Sequence, residues 1–252
     1  MKSEIWPPLL LGAGMIAAWE IYVRLAGIDP LLLPPPSAVA LYLLDNARIM
    51  VTNGVATLSE LLLGFACGVI IGLSLGILMQ VWRWFREAAY PWLVATQMVP
   101  IPAVAPILVL WFGFTIVPKA ATVALICFFP VAVNTVDGLS SVNPELIRLL
   151  RTFGAGPWSL MSMAALPSAL PRIFSGVRVA MALSVVGAVV GEWVGSTHGL
   201  GYLMLHFENR GETAGLFATV TVLAVMGIIL FFLVGWVENW AIPWRRYSKE
   251  TL

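Results

Sequence analysis

The chain has 252 residues, of which 60% are hydrophobic and 11% are charged, and its formal net charge is +1. A soluble domain carries about 25% charged residues, so this composition excludes a soluble globular protein and indicates that lipid is the main solvent. The near-zero net charge provides no basic surface for nucleic acid, and no nucleic-acid partner is expected.

Six apolar segments are long enough to cross a bilayer, which requires about 20 residues in a helix. The first segment follows Lys2 and continues through Tyr22 without a small-residue cleavage site, so we expect a retained span. The sequence therefore predicts an all-α polytopic membrane protein with a single membrane domain, residues 1–252. The predicted spans cover approximately 7–26, 56–81, 91–113, 117–137, 173–194 and 214–238.

Glycines recur every four residues in the second and fifth predicted spans. Small residues at this spacing let helix backbones approach closely, which favours association where lipid supplies no hydrophobic force. We therefore predict close packing of these spans against neighbours within one subunit. The glycines are Gly64, Gly68, Gly72 and Gly76 in the second span, and Gly187, Gly191 and Gly195 in the fifth.

The third predicted span contains several prolines in the stretch PWLVATQMVPIPAVAP. Interior prolines remove helix hydrogen bonds, so we expect a kink or a break near Pro100 and Pro102. Gln97 lies one turn before this point. Two interpretations stay open: a structural kink, or a bend that lines a translocation pathway built from Gln97, Pro100 and Pro102 together with Glu192 of the fifth span.

Charged residues and histidines elsewhere do not indicate catalysis. The carboxylates Glu20, Glu60, Asp137 and Glu192 lie toward the ends of predicted spans, where they could reach the membrane interface, and no lysine or arginine is expected deep in a span. His198 and His206 fall in a predicted external loop, 195–213, without further metal ligands at the required spacing. We therefore expect no metal site and no catalytic residue.

The segment 138–172 is basic and rich in turns although apolar spans flank it. NPELIRLLRTFG predicts a helix in which Asn143 is the cap and Pro144 the first residue. Gly154 is expected to end this helix with a positive φ. An apolar stripe on one face holds Leu146, Leu149, Leu150 and Phe153, while Arg148 and Arg151 point elsewhere.

A second short helix, PWSLMSMAAL, is expected to begin at Pro157 and to be stopped by Pro167 and Pro171. The segment thus predicts a helix-turn-helix outside the bilayer, because neither helix is long enough to span it. An amphipathic loop that lies on the membrane surface is the alternative.

The distribution of lysine and arginine predicts the orientation, because cytoplasmic loops carry an excess of these residues. With the N-terminus inside, six spans also place the C-terminus and residues 138–172 in the cytoplasm. The inside residues are then Lys2, Arg83, Arg86, Arg148, Arg151, Arg172, Arg178, Arg245, Arg246 and Lys249, and the outside residues are Arg24, Arg48, Lys119 and Arg210.

The segment 138–172 resembles the cytoplasmic signature loop of ABC-importer permeases, which reads E-A-A, three residues, Gly, nine residues, Ile, any residue, Leu-Pro. Gly154 and Leu166-Pro167 match this pattern, whereas Arg148, Leu149 and Leu150 stand at the E-A-A positions and Ala164 replaces Ile. Glu145, one turn earlier, is a candidate substitute for the missing glutamate. The stretches LPPPSAV, MVPIPAVAPILVLWFG, ALPSALPRIFSGVRVAMALS and GLGYLM resemble, in that order, permeases of the nitrate/sulfonate/taurine type.

The resemblance implies a permease subunit of an ATP-driven importer in the bacterial cytoplasmic (inner) membrane. Its implied partners are cytoplasmic ABC ATPases, an external substrate-binding protein and a second permease, with a homodimer expected. The cargo implied is a small nutrient, a pyrimidine thiamine precursor or a sulfonate-, taurine- or nitrate-like solute. The implied ATPase-coupling residues are Glu145, Arg148, Leu149, Leu150, Arg151, Phe153, Gly154, Leu166 and Pro167.

No P-loop sequence is present, so we expect no cofactor in this chain and ATP use by the partner. An ion-coupled secondary transporter is the alternative function, and an intramembrane enzyme was also considered. An ion-coupled transporter would need ionisable groups deep in the bilayer.

Overall fold

The structure, a computed structural model, describes residues 6–244, and within this range all regular elements are helices, as predicted. A 3₁₀ turn covers Thr96–Met98 and a π turn covers Met161–Ala165. The α-helices are α1 (Trp6–Leu25), α2 (Pro36–Asp45), α3 (Ala47–Val81), α4 (Arg83–Ala95), α5 (Ile101–Phe112), α6 (Ile116–Ser140), α7 (Pro144–Thr152), α8 (Pro157–Leu160), α9 (Leu166–Gly195), α10 (Leu200–Arg210) and α11 (Thr213–Ala241).

Five of the described helices are long and apolar enough to cross a membrane, and the number is six if the bent pair α4–α5 forms one span. This agrees with the six predicted spans. The long helices are α1, α3, α6, α11 and the continuous helix Trp158–Gly195, which includes α8, the π turn and α9. The predicted charges at the termini, Lys2, Arg245, Arg246 and Lys249, lie outside the described residues.

Two segments between the predicted spans contain helices of their own. Residues 27–55 include α2 and the beginning of α3, and residues 195–213 include α10. At the start of α3, the Thr52 hydroxyl donates to the Arg48 carbonyl and the Asn53 amide to the Ile49 carbonyl. These side chains bond to their own helix, so the helix continues beyond the apolar segment from which the span was predicted.

The chain forms two compact units. The first contains residues up to Thr57 and Thr197–Val225. In this unit the Asn53 side chain accepts a 2.7 Å hydrogen bond from the Gly199 N–H, and the Thr57 hydroxyl accepts one of 2.8 Å from the Leu200 N–H. These bonds fix the start of α10, where Gly199 has a φ of 112° that favours glycine.

The second unit contains Leu58–Ser196 and the chain from Met226 onward. Its centre is the packing of α6 between α3 and α9. A β-carbon at Gly68 of α3 would lie 2.7 Å from the Cys127 β-carbon, and one at Gly176 of α9 would lie 2.6 Å from the Pro130 carbonyl. No side chain fits at these distances, so the glycines are required for the close approach of the helices.

The glycine ladders therefore pack as predicted. Each of the four glycines predicted in the second span faces α6, and two of the three in the fifth span face α6 as well. The third, Gly195, faces Val109 of α5. The core formed around these contacts is apolar and includes Leu61, Val123, Cys127, Val131 and Ala180.

Candidate functional site

Helix α7 begins as the sequence predicts. The Asn143 side chain accepts a 2.8 Å hydrogen bond from the Glu145 N–H, and Pro144 is in the first turn of the helix. Proline is suited to this position because the first N–H groups of a helix have no partner within it. Glu145 is exposed in this first turn, where a negative charge interacts favourably with the positive end of the helix dipole.

Gly154 ends α7 with a φ of 79°, which confirms the predicted positive φ. The Gly154 N–H donates to the Arg151 carbonyl and the Ala155 N–H to the Leu150 carbonyl, each at 3.0 Å. These two bonds form a Schellman motif, which satisfies carbonyls at the end of the helix. No atom lies within 4 Å of a β-carbon built at Gly154, so backbone conformation, not space, requires glycine here.

The two faces of α7 differ in chemistry. Leu149 and Phe153 are exposed, Phe153 to 80% of its surface, and both lie on the predicted apolar stripe with Leu146 and the half-buried Leu150. Arg148 and Arg151 are also exposed but lie on the opposite face. Trp158 and Met163, which follow in the helix Trp158–Gly195, are exposed as well.

The predicted second short helix is not separate, so the helix-turn-helix expectation is wrong in this part. The chain continues from Pro157 through Pro167 and Pro171 into α9. The π turn Met161–Ala165 explains why Pro167 does not stop it: the Leu166 N–H bonds to the Met161 carbonyl, five residues back. This wider turn precedes Pro167, which lacks the N–H for a regular helix bond. Leu166 and Pro167 therefore begin the long helix α9.

The third predicted span is broken where the prolines indicated. α4 and α5 meet at an angle of 96°, with Gln97 in the 3₁₀ turn, Pro100 as the cap of α5 and Pro102 in its first turn. Gln97, Pro100 and Pro102 are all exposed. The Thr96 hydroxyl donates to the Leu93 carbonyl at 2.7 Å, which satisfies one of the groups freed by the break.

Glu192, the fourth predicted pathway residue, lies in α9 and is 1% exposed. One turn later, Gly195 of α9 contacts Val109 of α5. Val109 is near the end of α5 opposite to the break, nine residues after Pro100 and thus about 14 Å along the helix at 1.5 Å per residue. The structure thus groups Gln97, Pro100 and Pro102, and it places Glu192 toward the other end of α5.

An ion pair that the sequence analysis missed lies inside the second unit. The Lys119 ammonium of α6 is 2.5 Å from Glu60 Oε1 of α3 and donates to Ser196 Oγ at 2.9 Å. Lys119 and Glu60 are each 2% exposed. A β-carbon at Gly191 of α9 would lie 3.1 Å from the Lys119 α-carbon, so Lys119 also lies against the helix that carries Glu192.

This burial was not expected from the sequence. Glu60 and Glu192 are enclosed by protein, and Lys119, which was expected among the outside charges, lies in α6. The close approach at Gly191 brings α9 against Lys119, and Glu60, Lys119 and Glu192 are each no more than 2% exposed. A buried charge needs a partner of opposite sign, and Lys119 provides one for Glu60.

A second ion pair joins α9 to α11. The Arg178 guanidinium lies 2.6 Å from Glu238 Oε2 and 5.6 Å from the centre of the Phe231 ring. Gly235 provides the space, because a β-carbon there would lie 2.8 Å from Arg178 Nη2. Arg178 lies inside α9, near the inner end of the fifth predicted span, and is held by a carboxylate and an aromatic face.

Comparison with known proteins identifies the relatives of this chain. Residues 68–246 match the family model "Binding-protein-dependent transport system inner membrane component". The chain is 38% identical to the formylaminopyrimidine transport permease protein ThiX of Halalkalibacterium halodurans, over 95% of this chain and 96% of the relative. It is 36% identical to the riboflavin transport system permease protein RibX of Chloroflexus aurantiacus, over 95% and 91% of the two chains.

More distant similarity extends to another relative and to solved structures. The chain is 32% identical to the putative aliphatic sulfonates transport permease protein SsuC of Bacillus subtilis, over 94% of this chain and 87% of the relative. A structure of the inward-facing MetNI methionine ABC transporter matches with a TM-score of 0.66 and 19% identity, over 77% of this chain and 96% of that one. This structural likeness supports the fold.

Proposed function

The chain belongs to the binding-protein-dependent transport system inner membrane components, a family of ABC-importer permeases, and on this premise we propose that ATP hydrolysed by a partner drives solute into the cytoplasm through it. An external binding protein delivers the solute. A second copy of the chain completes the pathway, and both termini face the cytoplasm. The chain itself contributes the membrane passage and the contact with the ATPase.

The exposed apolar face of α7 carries the proposal of ATPase coupling. Helix α7 has nine residues, about 14 Å at 1.5 Å per residue, which is too short to cross a bilayer. Leu149 and Phe153 nevertheless expose most of their side chains. Full burial of such a side chain in a partner's groove stabilises a complex by roughly 1.5–3 kcal/mol, so this face provides a docking surface. The other proposed coupling residues on the same segment include Glu145, Gly154, Leu166 and Pro167.

The break between α4 and α5 supports the proposed translocation pathway. Gln97, Pro100 and Pro102 are exposed there, and backbone groups not bonded within a helix are tolerated at membrane depth only in protein or beside water. Glu192 is proposed to act in gating from α9. The named cargoes of the relatives favour a pyrimidine thiamine precursor, with a sulfonate-, taurine- or nitrate-like solute as the alternative.

Reconstitution tests the energy source. In proteoliposomes with the ATPase and the binding protein, we expect uptake to require ATP inside and to be unaffected by ionophores that collapse ion gradients. Uptake without ATP that ionophores abolish would instead support an ion-coupled transporter.

Substitution on α7 tests the docking surface. Phe153→Asp should abolish co-purification of the ATPase and uptake while the permease still inserts, because a carboxylate cannot replace a ring in an apolar groove. Phe153→Leu, which keeps an apolar side chain, is the matched control and should retain most of the ATPase. Retention of the ATPase at the wild-type level by Phe153→Asp would exclude this face as the dock.

A further inference from the structure

A hollow of about 450 Å³ lies between the ends of α3 and α6 and one face of α7. We name it the basic hollow. The residues that matter for its chemistry are Gln80, Ser140, Pro144, Ile147, Arg148 and Arg151. None of the residues that line it is acidic.

The face of α7 in this hollow is not the apolar face. Pro144, Ile147, Arg148 and Arg151 follow at i, i+3, i+4 and i+7 and so share one side of the helix. At 3.6 residues per turn this side is about half a turn from Phe153 and its apolar neighbours. α7 can therefore bind one ligand through its arginines while its leucine side contacts a protein.

The arginines of the basic hollow lack carboxylate partners. In the described part of the chain, Arg148 and Arg151 form no salt bridge. Arg86 of α4 is directed to the same place, because its Nη1 donates to Ser140 Oγ at 3.3 Å, and that hydroxyl donates to Gln80 Oε1 at 3.1 Å. Three guanidinium groups without an acid among them favour an anion, and guanidinium groups match phosphate oxygens in geometry.

The neighbouring helix α4 indicates where this anion comes from. Phe85, Ala89 and Leu93 of α4 pack into the core, whereas Trp84 and Trp92 are exposed on another side. Exposed tryptophans are typical of the headgroup level of a membrane. Arg86 lies between the two tryptophans along the same helix and lines a second hollow of about 520 Å³ with Arg83, Glu87 and Tyr90, in which Glu87 pairs with Arg83. Arg86 is therefore at the same level along α4 as the exposed tryptophans.

We propose that the basic hollow binds the phosphate headgroup of an anionic phospholipid through Arg148 and Arg151, with Arg86 at its edge. Basic pockets between membrane helices are suited to such headgroups. The lipid would then hold α7 against the ends of α3 and α6 from the side opposite to the apolar face. This inference goes beyond the proposed function, because lipid binding requires neither an ATPase nor a transported solute.

Native mass spectrometry of the full-length, delipidated protein in detergent tests the proposal. Dioleoylphosphatidylglycerol, dioleoylphosphatidylcholine and free glycerol-1-phosphate are titrated separately. We expect phosphatidylglycerol to bind at least about tenfold more tightly than the other two, because phosphatidylcholine offsets its phosphate charge with an ammonium group and glycerol-1-phosphate has no acyl chains to bury. Arg148→Gln with Arg151→Gln should remove this preference, and the double lysine variant should retain part of it.

Arg48→Gln is the control, since it removes one positive charge from an exposed arginine near the start of α3, away from the basic hollow. Gln80, which lines the hollow, is 32 residues further along the chain. The control should bind phosphatidylglycerol as the wild type does. Three outcomes would each overturn the proposal. The control and the double glutamine variant could lose affinity for phosphatidylglycerol equally, the double variant could keep the lipid preference, or free glycerol-1-phosphate could bind as tightly as phosphatidylglycerol. Circular dichroism and gel filtration establish that each variant is folded.

Discussion

Replacement of Lys119 by methionine should strongly destabilise the permease. The substitution keeps a side chain of similar length but removes the ammonium that lies 2.5 Å from Glu60 Oε1 and 2.9 Å from Ser196 Oγ. Glu60 is 2% exposed, so its carboxylate would be left without a counter-charge. Removal of one partner of a buried ion pair typically costs about 3–5 kcal/mol.

A loss of this size in the free energy of unfolding is measurable as a shift in the midpoint temperature of thermal unfolding of the purified protein. At about 2–4 °C per kcal/mol for a chain of this size, Lys119→Met should lower the midpoint by roughly 6–20 °C. The double variant Glu60→Leu, Lys119→Met should be much closer to the wild type, because an apolar pair of similar volume often matches a buried ion pair in stability.

The cycle of two single variants and the double variant isolates the interaction. A shift below about 2 °C for Lys119→Met, or a double variant whose loss equals the sum of the two single losses, would refute a stabilising pair. Ser196→Ala serves as the internal comparison. It removes one hydrogen bond from a charged donor, about 1.5–3 kcal/mol, and leaves Glu60 paired.

Further predictions concern coupling, topology and gating. Gly154→Val should prevent co-purification of the ATPase, because a β-branched residue at a φ of 79° is strained by about 1–3 kcal/mol. Gly156 lies in equally open space but has no positive φ, so Gly156→Val should still co-purify with the ATPase. If the two valine variants co-purified with the ATPase to the same extent, the backbone turn at Gly154 would have no role in coupling. Single cysteines at Ser159 and Thr213, in a background without native cysteines, should react with an impermeant maleimide from opposite sides of the membrane; labelling of both in intact cells would contradict the topology. Glu192→Gln should reduce uptake and change its pH profile, and an unaltered profile would remove Glu192 from the gating mechanism.

The structure of α7 could be predicted because local bonds determine it. Its cap, Asn143, bonds to a residue two positions later, and the Gly154 turn is formed by bonds over three and five residues. Signals of this kind can be read from a short stretch of sequence without knowledge of the rest of the fold. The glycine ladder was predictable for a similar reason, since a spacing of four residues defines one helix face whichever helix packs against it.

The continuation of the helix through Pro167 and Pro171 was not predictable from the same rules. Proline is expected to end a helix because it lacks an N–H and its ring meets the preceding turn. The π turn at Met161–Ala165 changes the bonding pattern before Pro167. No residue in this turn has a sequence signature for π geometry, so the pattern of apolar and proline residues favoured two helices where there is one.

The buried ion pairs depend on contacts between distant parts of the chain, yet the order of the spans contained information about them. Glu60 and Lys119 lie near the beginnings of the second and fourth predicted spans, and Glu192 lies near the end of the fifth. Successive spans alternate in direction, so these three positions fall at the same side of the membrane and at similar depth. The same holds for Arg178, near the start of the fifth span, and Glu238, at the end of the sixth. Because an isolated charge is costly at such depth, opposite charges at equal depth are expected to pair, and both pairs are present in the structure. In this chain, equal depth from a common side therefore identifies both pairs, although the two partners of each lie about 60 residues apart in the sequence.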